Sequence, residues 1–282
     1  VVFTMDADTT VDRKSMKNMV RFFKDKGIMC VSPAIIIEKP KTILQRVQYI
    51  EYLLSLFLRK AFASVKSIYI TPGAFSAYRK SFFDKHGGFD EGNVTEDLEM
   101  ALRIQYNGYN TENCPEAPVY TIAPSKFGEL LVQRRRWYFG LLVNLWDYRK
   151  IIGKKYGDLG TFVIPIALVS IFFSVFVVIY FFFKSISEVR DNLLFYQSVN
   201  FDFSSLFNIN FYVIERALFL FFSKPVVLFI LLFMIVLGFY MHYASRKIGR
   251  RSGLFANLFL YYLLFAFLFG FWGGISIFYT IF

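Results

Sequence analysis

The chain has 282 residues, of which 56% are hydrophobic, 21% aromatic and 19% charged, with a net charge of +11. That balance excludes a disordered chain, which needs low hydrophobicity and high charge, and a wholly soluble domain, which typically carries about 25% charged residues. The cations cluster beside apolar stretches rather than along one face, so nucleic acid is not an expected partner. Residues up to Asp158 hold 24 Lys and Arg against 17 Asp and Glu; from Leu159 onward the counts are 8 and 4, and 26 of the 37 Phe lie there. A charged half is therefore expected to precede a membrane half.

Residues 1–5 read as an apolar strand running into Asp6-Ala7-Asp8. Such a strand is expected to have neighbours on both sides, which predicts that part of the protein precedes Val1. Residues 14–26 read as a helix with Met16, Met19, Val20 and Phe23 on one side, and residues 28–37 as a strand. Over residues 41–62, Ile43, Val47, Ile50, Leu54, Phe57 and Ala61 recur at three- and four-residue spacing. Leu53, Leu58 and Phe62 widen that stripe, so this helix either faces a core or lies in the membrane interface. Residues 68–70 and 75–78 read as strands around Pro72-Gly73. A helix opens at Thr95 and ends at Gly108, residues 119–122 form a further strand, and a helix covers residues 126–148. This alternation predicts an α/β sheet layered with helices. Cys30 and Cys114 fit no metal spacing and read as buried free thiols in a reducing compartment.

Three stretches, residues 159–183, 225–245 and 253–282, are uncharged and long enough to span about 30 Å of hydrocarbon. Residues 184–224 carry four basic and four acidic side chains and read as an exposed loop with an interfacial helix. Arg149, Lys150, Lys154 and Lys155 precede the first span, and Arg246, Lys247, Arg250 and Arg251 separate the last two. The positive-inside rule puts those flanks and the charged half in the cytoplasm of a multi-pass plasma-membrane protein. His242 reads as an interfacial side chain.

Three constellations can carry chemistry. Asp6 and Asp8 set two carboxylates at a strand end, which suits a hard divalent cation that keeps waters and takes phosphate oxygens. The same pair also suits a solvated strand-to-loop turn. Thr95-Glu96-Asp97 either caps a helix or supplies Asp97 as a general base. The helix N-terminus is expected to lower the Asp97 pKa, restricting it to proton transfer concerted with attack. In Gln133-Arg134-Arg135-Arg136-Trp137, the residues Gln133, Arg136 and Trp137 share one helical side. An amide, a guanidinium and an indole together suit a phosphate-bearing ligand and the flat face of a sugar. A basic membrane-proximal belt is the alternative.

In this order, ahead of apolar spans, the motifs resemble those of processive family-2 glycosyltransferases, among them cellulose, chitin and hyaluronan synthases. Asp6 and Asp8 match D-x-D, Thr95, Glu96 and Asp97 match T-E-D, and Gln133, Arg136 and Trp137 match Q-x-x-R-W. The run Thr71-Pro72-Gly73-Ala74-Phe75-Ser76-Ala77-Tyr78-Arg79 resembles the segment lining the acceptor site. The likeness covers roughly residues 1–160 and the following spans. It implies a partial α/β GT-A-type catalytic domain (1–124), an interfacial helix (125–158) and a transmembrane region (159–282). The half that holds the nucleotide base is expected to precede D-x-D. The implied reaction is inverting transfer from a UDP-sugar to a growing polysaccharide, in contact with membrane lipid. Asp97 is implied as the base, with Thr95 and Glu96 supporting it. Asp6 and Asp8 are implied ligands of Mg²⁺ or Mn²⁺, while Asp6, Gln133 and Arg136 face the donor phosphates. Trp137, Gly73, Ala74 and Phe75 are implied on the acceptor. Transfer of one sugar to a glycolipid acceptor is a second reading. A non-catalytic scaffold or transporter is a third, against which stands the lack of charged residues in the three spans.

Overall fold

The computed structural model describes residues 1–198, 200, 210–248, 254–264 and 268. It divides into two compact units: Val1–Ser174 with the described residues from Met241 on, and Val175–Tyr240. The strands of the first unit are β1 (Val2–Met5), β2 (Thr10–Val11), β3 (Ile28–Ile37), β4 (Phe75–Tyr78) and β5 (Asn110–Thr121). They form one mixed sheet in the order β1-β4-β3-β5-β2.

β3 is the centre of this sheet, and all ten of its residues are buried. A strand covered on both faces shows no polar alternation, which is why its sequence is almost continuously apolar. It runs antiparallel to β4 and parallel to β5. β1 pairs antiparallel with β4, Val2 opposite Tyr78 and Met5 opposite Phe75. Among the described strands β4 is its one neighbour. β5 begins nine residues before the expected strand, at Asn110. Pro115 and Pro118 conceal it in the sequence. The ladder absorbs them in a register shift, with Pro33 opposite Cys114 and Ala34 opposite Pro118. Residues 68–70, expected as a strand, are not one. Side chains take the place of a neighbouring strand there: Gln105 Nε2 donates to the Ile68 carbonyl at 3.1 Å.

The helices of this unit are α1 (Ser15–Val20), α2 (Ile43–Ser64), α3 (Lys80–His86), α4 (Glu96–Tyr106) and α5 (Phe127–Asp147). α1 continues as a 3-10 turn over Arg21–Lys24, and α3 was not expected from the sequence. Gly108, at φ +78°, follows α4 as expected. Met19 of α1 packs with Val31, Phe75 and Val119 in one core cluster. Phe82 of α3 and Met100 and Ile104 of α4 pack with Cys30 and Tyr78 in another. Helices thus cover both faces of the sheet. Cys30 and Cys114 are buried free thiols, as expected.

α2 has a core-facing side and an exposed apolar side. Val47, Ile50, Leu53 and Leu56 are buried, and the helix packs on β3 and β5. Ile43, Phe57 and Leu58 stay exposed. Its start is fixed by a capping box: the Thr42 hydroxyl accepts from the Gln45 amide at 3.2 Å, and the Gln45 side chain accepts from the Thr42 amide.

A π-helical turn, Leu159–Val163, leads into α6 (Ile164–Ser198). Together they form one 40-residue helix, long and apolar enough to cross a membrane. α7 (Phe211–Phe222) and α8 (Pro225–Ile248) supply a second crossing if taken as one bent span. α9 (Leu254–Leu264) is a shorter apolar helix. Apart from residue 268, the rest of the third expected span lies outside the described residues. The expected loop over residues 184–224 is corrected in its first part, where α6 continues to Ser198. Residues 184–198 contain no Gly or Pro, and Lys184 pairs with Glu188 one turn on, so nothing breaks the helix. In the second unit Phe181, Phe182, Phe183, Phe219, Phe229 and Phe233 are exposed, a surface suited to hydrocarbon.

Thr42→Ala is expected to lower stability by about 1 kcal/mol through loss of the cap. Thermal unfolding followed by helical circular dichroism in detergent measures it.

Candidate active site

Asp6 follows the last residue of β1. Its amide donates to the Ala74 carbonyl at 3.1 Å, and its carbonyl accepts from the Thr9 amide at 3.2 Å. The sheet register thus brings the D-x-D turn against the Pro72-Gly73-Ala74 loop that opens β4. Burial holds the Asp6 carboxyl above its ordinary pKa, as do the nearby charges of Asp8 and Glu96, while Arg136 pulls it down. Asp8, Glu96 and Arg136, one from each of the three motif segments, thus lie within electrostatic reach of the Asp6 carboxylate.

Asp97 lies in the first turn of α4. Its Oδ1 accepts from the Leu98 amide at 2.8 Å, and its carbonyl accepts from the Thr71 hydroxyl at 2.7 Å. A Cβ at Gly73 would stand 3.1 Å from Asp97 Oδ2, so glycine there leaves the carboxylate its place. The expectation of a depressed pKa is corrected: burial pushes Asp97 up to about 6, over the opposing amide hydrogen bonds of Leu98 and Gly73. The helix terminus loses to desolvation because the carboxyl is inside the fold rather than at its surface.

Thr95 does not cap α4 with its side chain. Its hydroxyl instead accepts from Asn144 Nδ2 of α5 at 3.0 Å. Asn93 completes the link: it exchanges hydrogen bonds with Asn144 at 2.7 and 3.1 Å, and its Oδ1 accepts from the Thr95 amide at 3.0 Å. Gly140 makes this approach possible, since a Cβ there would stand 2.1 Å from Thr95 Oγ1. Further along, the Tyr148 hydroxyl donates to Glu99, which also binds Arg103. α4 and α5 are thereby locked along a polar seam.

On α5, Gln133 Oε1 is buried without a hydrogen-bond partner. Arg136 is exposed and within electrostatic reach of Asp6. Trp137 is half-buried. Phe75 is 1% exposed and stacks on Phe3, with ring centroids 5.3 Å apart, because its strand position faces the core. Glu51, Tyr52, Asn144 and Tyr148 were not anticipated. Tyr52 is within electrostatic reach of both Asp8 and Arg134. Their partners lie tens of residues away, so no local spacing announces them. Among the described residues, no cluster of three or more His, Cys, Asp or Glu is arranged to hold a metal.

Residues 1–282 match the family described as glycosyl transferase family group 2, and the chain belongs to that family. It is 34% identical over 170 residues to chitin synthase 5 of Cryptococcus neoformans, a match over 51% of this chain and 9% of that protein. It is 30% identical over 142 residues to the poly-β-1,6-N-acetyl-D-glucosamine synthase of Staphylococcus aureus, over 49% of this chain and 34% of that protein. The chain thus spans a small share of the length of these relatives. Among solved structures it is similar to a mannosyltransferase from Pyrobaculum calidifontis in complex with GDP-mannose and Mn²⁺. The TM-score is 0.42 and the identity 20%, covering 53% of this chain and 39% of that one. The domain itself is a mixed sheet covered by helices.

Gly140→Ala is expected to push α5 from Thr95 and cost about 1–3 kcal/mol of stability. Thr95→Ser in the same chain, lacking Cγ2, recovers part of the loss. Denaturation midpoints of the two variants check both effects.

Proposed function

We propose that this chain forms the acid–base and acceptor-side part of a membrane-bound glycosyltransferase. It would move a sugar, with inversion, from a UDP-sugar to a growing polysaccharide. The observation that carries this reading is the meeting of Asp8, Glu96 and Arg136 around Asp6, with Asp97 behind the adjoining Gly73 loop. The two named relatives, a chitin synthase and a poly-N-acetylglucosamine synthase, favour an N-acetylhexosamine as the transferred sugar.

Asp97 accepts the proton of the acceptor hydroxyl as that oxygen bonds to the anomeric carbon and the sugar–phosphate bond breaks. Its burial suits this role, since a carboxyl titrating at about 6 is a better base than an ordinary one. Arg136 and Gln133 face the nucleoside diphosphate that leaves, the first with its charge and the second with the N–H donors of its side-chain amide. Trp137 lies under the acceptor sugar, and Gly73 and Ala74 bring backbone close to it.

The residues present fit a divalent cation. Asp6 and Asp8 crowd their charges beside Glu96, and neither takes part in a salt bridge among the described residues. Bound there by Asp6 and Asp8, Mg²⁺ or Mn²⁺ would neutralise diphosphate charge. The apolar helices serve as anchor. The basic residues Arg149, Lys150, Lys154 and Lys155 set the catalytic half in the cytoplasm of a multi-pass protein.

Incubation of the membrane-embedded full-length protein with labelled UDP-sugars tests the reading. A polymer ladder is expected; a single glycolipid product would replace polymerisation by one-step transfer. Asp97→Asn is expected to lower turnover by about 10²–10⁴. Asp97 acts as its anion, so kcat/KM should rise with pH up to about 6 and level above it. Below that value the rate should fall about tenfold per pH unit, and Asp97→Asn should lose this limb. Asp8→Asn is expected to move the metal titration midpoint by at least about tenfold without altering the fold, as metal-dependent turnover reports.

A further inference from the structure

Three consecutive arginines stand in α5, and their surroundings differ. Arg135 and Arg136 are exposed, whereas Arg134 is 5% exposed. A buried guanidinium is costly unless it is paired and hydrogen-bonded. Its partner is Glu51 of α2, 83 residues earlier. Nη1 donates to Oε1 at 2.7 Å and Nη2 to Oε2 at 2.8 Å, a two-pronged pairing that fixes the guanidinium plane. The centre of that plane lies 4.4 Å from the centroid of the Trp137 ring. The side chain is held at its edge by a carboxylate while its face meets the indole.

We propose that the Glu51–Arg134 pair positions Trp137. α2 supplies the carboxylate that fixes the guanidinium, and the guanidinium covers one face of the indole, leaving the other for the acceptor sugar. This rests on the reading of Trp137 as the acceptor platform. Glu51 and Arg134 are positioning residues that touch no reacting atom. The arrangement gives α2 a part in acceptor binding although it carries none of the three motifs. It also separates neighbouring arginines by task, with Arg136 directed to phosphate and Arg134 to the indole. Lysine at 134 would keep a charge for Glu51 but has no plane to lie against the ring.

The test uses the full chain in lipid nanodiscs, with Trp146→Phe and Trp272→Phe making Trp137 the sole indole. Arg134→Lys and Glu51→Gln are each expected to shift Trp137 emission and raise its quenching by acrylamide, with helical circular dichroism retained. Binding of an N-acetylglucosamine oligosaccharide should weaken about tenfold, the scale of a desolvated cation–ring contact. The double variant Glu51→Arg/Arg134→Glu keeps the ion pair and removes the cation from the ring. It guards against single variants that unfold, and its emission should remain displaced. Parent-like emission and quenching in the folded variants overturn the proposal. So does unchanged oligosaccharide binding in Arg134→Lys where Trp137→Ala abolishes it. If Trp137→Ala binds the oligosaccharide like the parent, the acceptor reading of Trp137 fails, while displaced emission still supports the positioning of its ring.

Discussion

The close approach of Gly140 to Thr95 is the constraint on which the site depends. It allows α5 to lie directly on the start of α4, where Asn144 reaches the Thr95 hydroxyl. T-E-D and Q-x-x-R-W belong to different helices, and neither helix dictates the other's position through its own periodicity. A missing methyl group at one contact and three hydrogen-bonding side chains at the next do so instead. Glu99, held by Arg103 and Tyr148, fixes the same seam a turn further along α4. Two attachment points prevent α5 from rotating about the first, which keeps Arg136 within electrostatic reach of Asp6.

Two electrostatic effects compete at Asp97, and their magnitudes decide the outcome. A helix N-terminus favours a carboxylate by about 0.3–1 kcal/mol at an exposed surface. The displacement from 3.8 to about 6 amounts to roughly 3 kcal/mol between the two protonation states. Desolvation therefore exceeds the dipole. At Asp6 burial is again the largest cause, and two carboxylates, Asp8 and Glu96, add to it where Asp97 has Glu96 alone. Paired carboxylates suit a cation ligand set, and a single buried one a proton acceptor.

The legible parts of this chain are those governed by local rules. β3 and β4 begin and end where apolar runs and the Pro-Gly pair put them. α2 follows its three-and-four spacing, and both α2 and α5 end within two residues of expectation. The three motifs were likewise visible, being short and ordered. What escaped depends on distant partners. Residues 68–70 have strand composition, yet Gln105 takes the carbonyl that a strand would have used. Thr95 has the identity of a cap, yet Asn144 claims its hydroxyl. Phe75 sits within a motif-like run, yet pleat alternation turns it to Phe3. The pairing of Glu51 with Arg134 carries no sequence spacing at all.

The apolar face of α4 connects this site to the base of the long apolar helix. Leu98 and Leu102 pack in one cluster with Leu145 of α5, Ile151, and Leu159, Val163 and Ile164 at the root of the long helix. The chain between is folded tightly: the Gly153 amide donates to the Gly160 carbonyl at 3.1 Å, and a Cβ at Gly160 would stand 2.2 Å from the Ile151 carbonyl. α4 thus has Asp97 at its N-terminal end and the base of the span against its apolar side. A close-packed interior transmits displacement rather than absorbing it. Tilting the root of the span relative to the sheet would therefore bear on α4 before any surface loop. The helix that carries the proposed base thus packs both on the sheet and on the root of the long apolar helix.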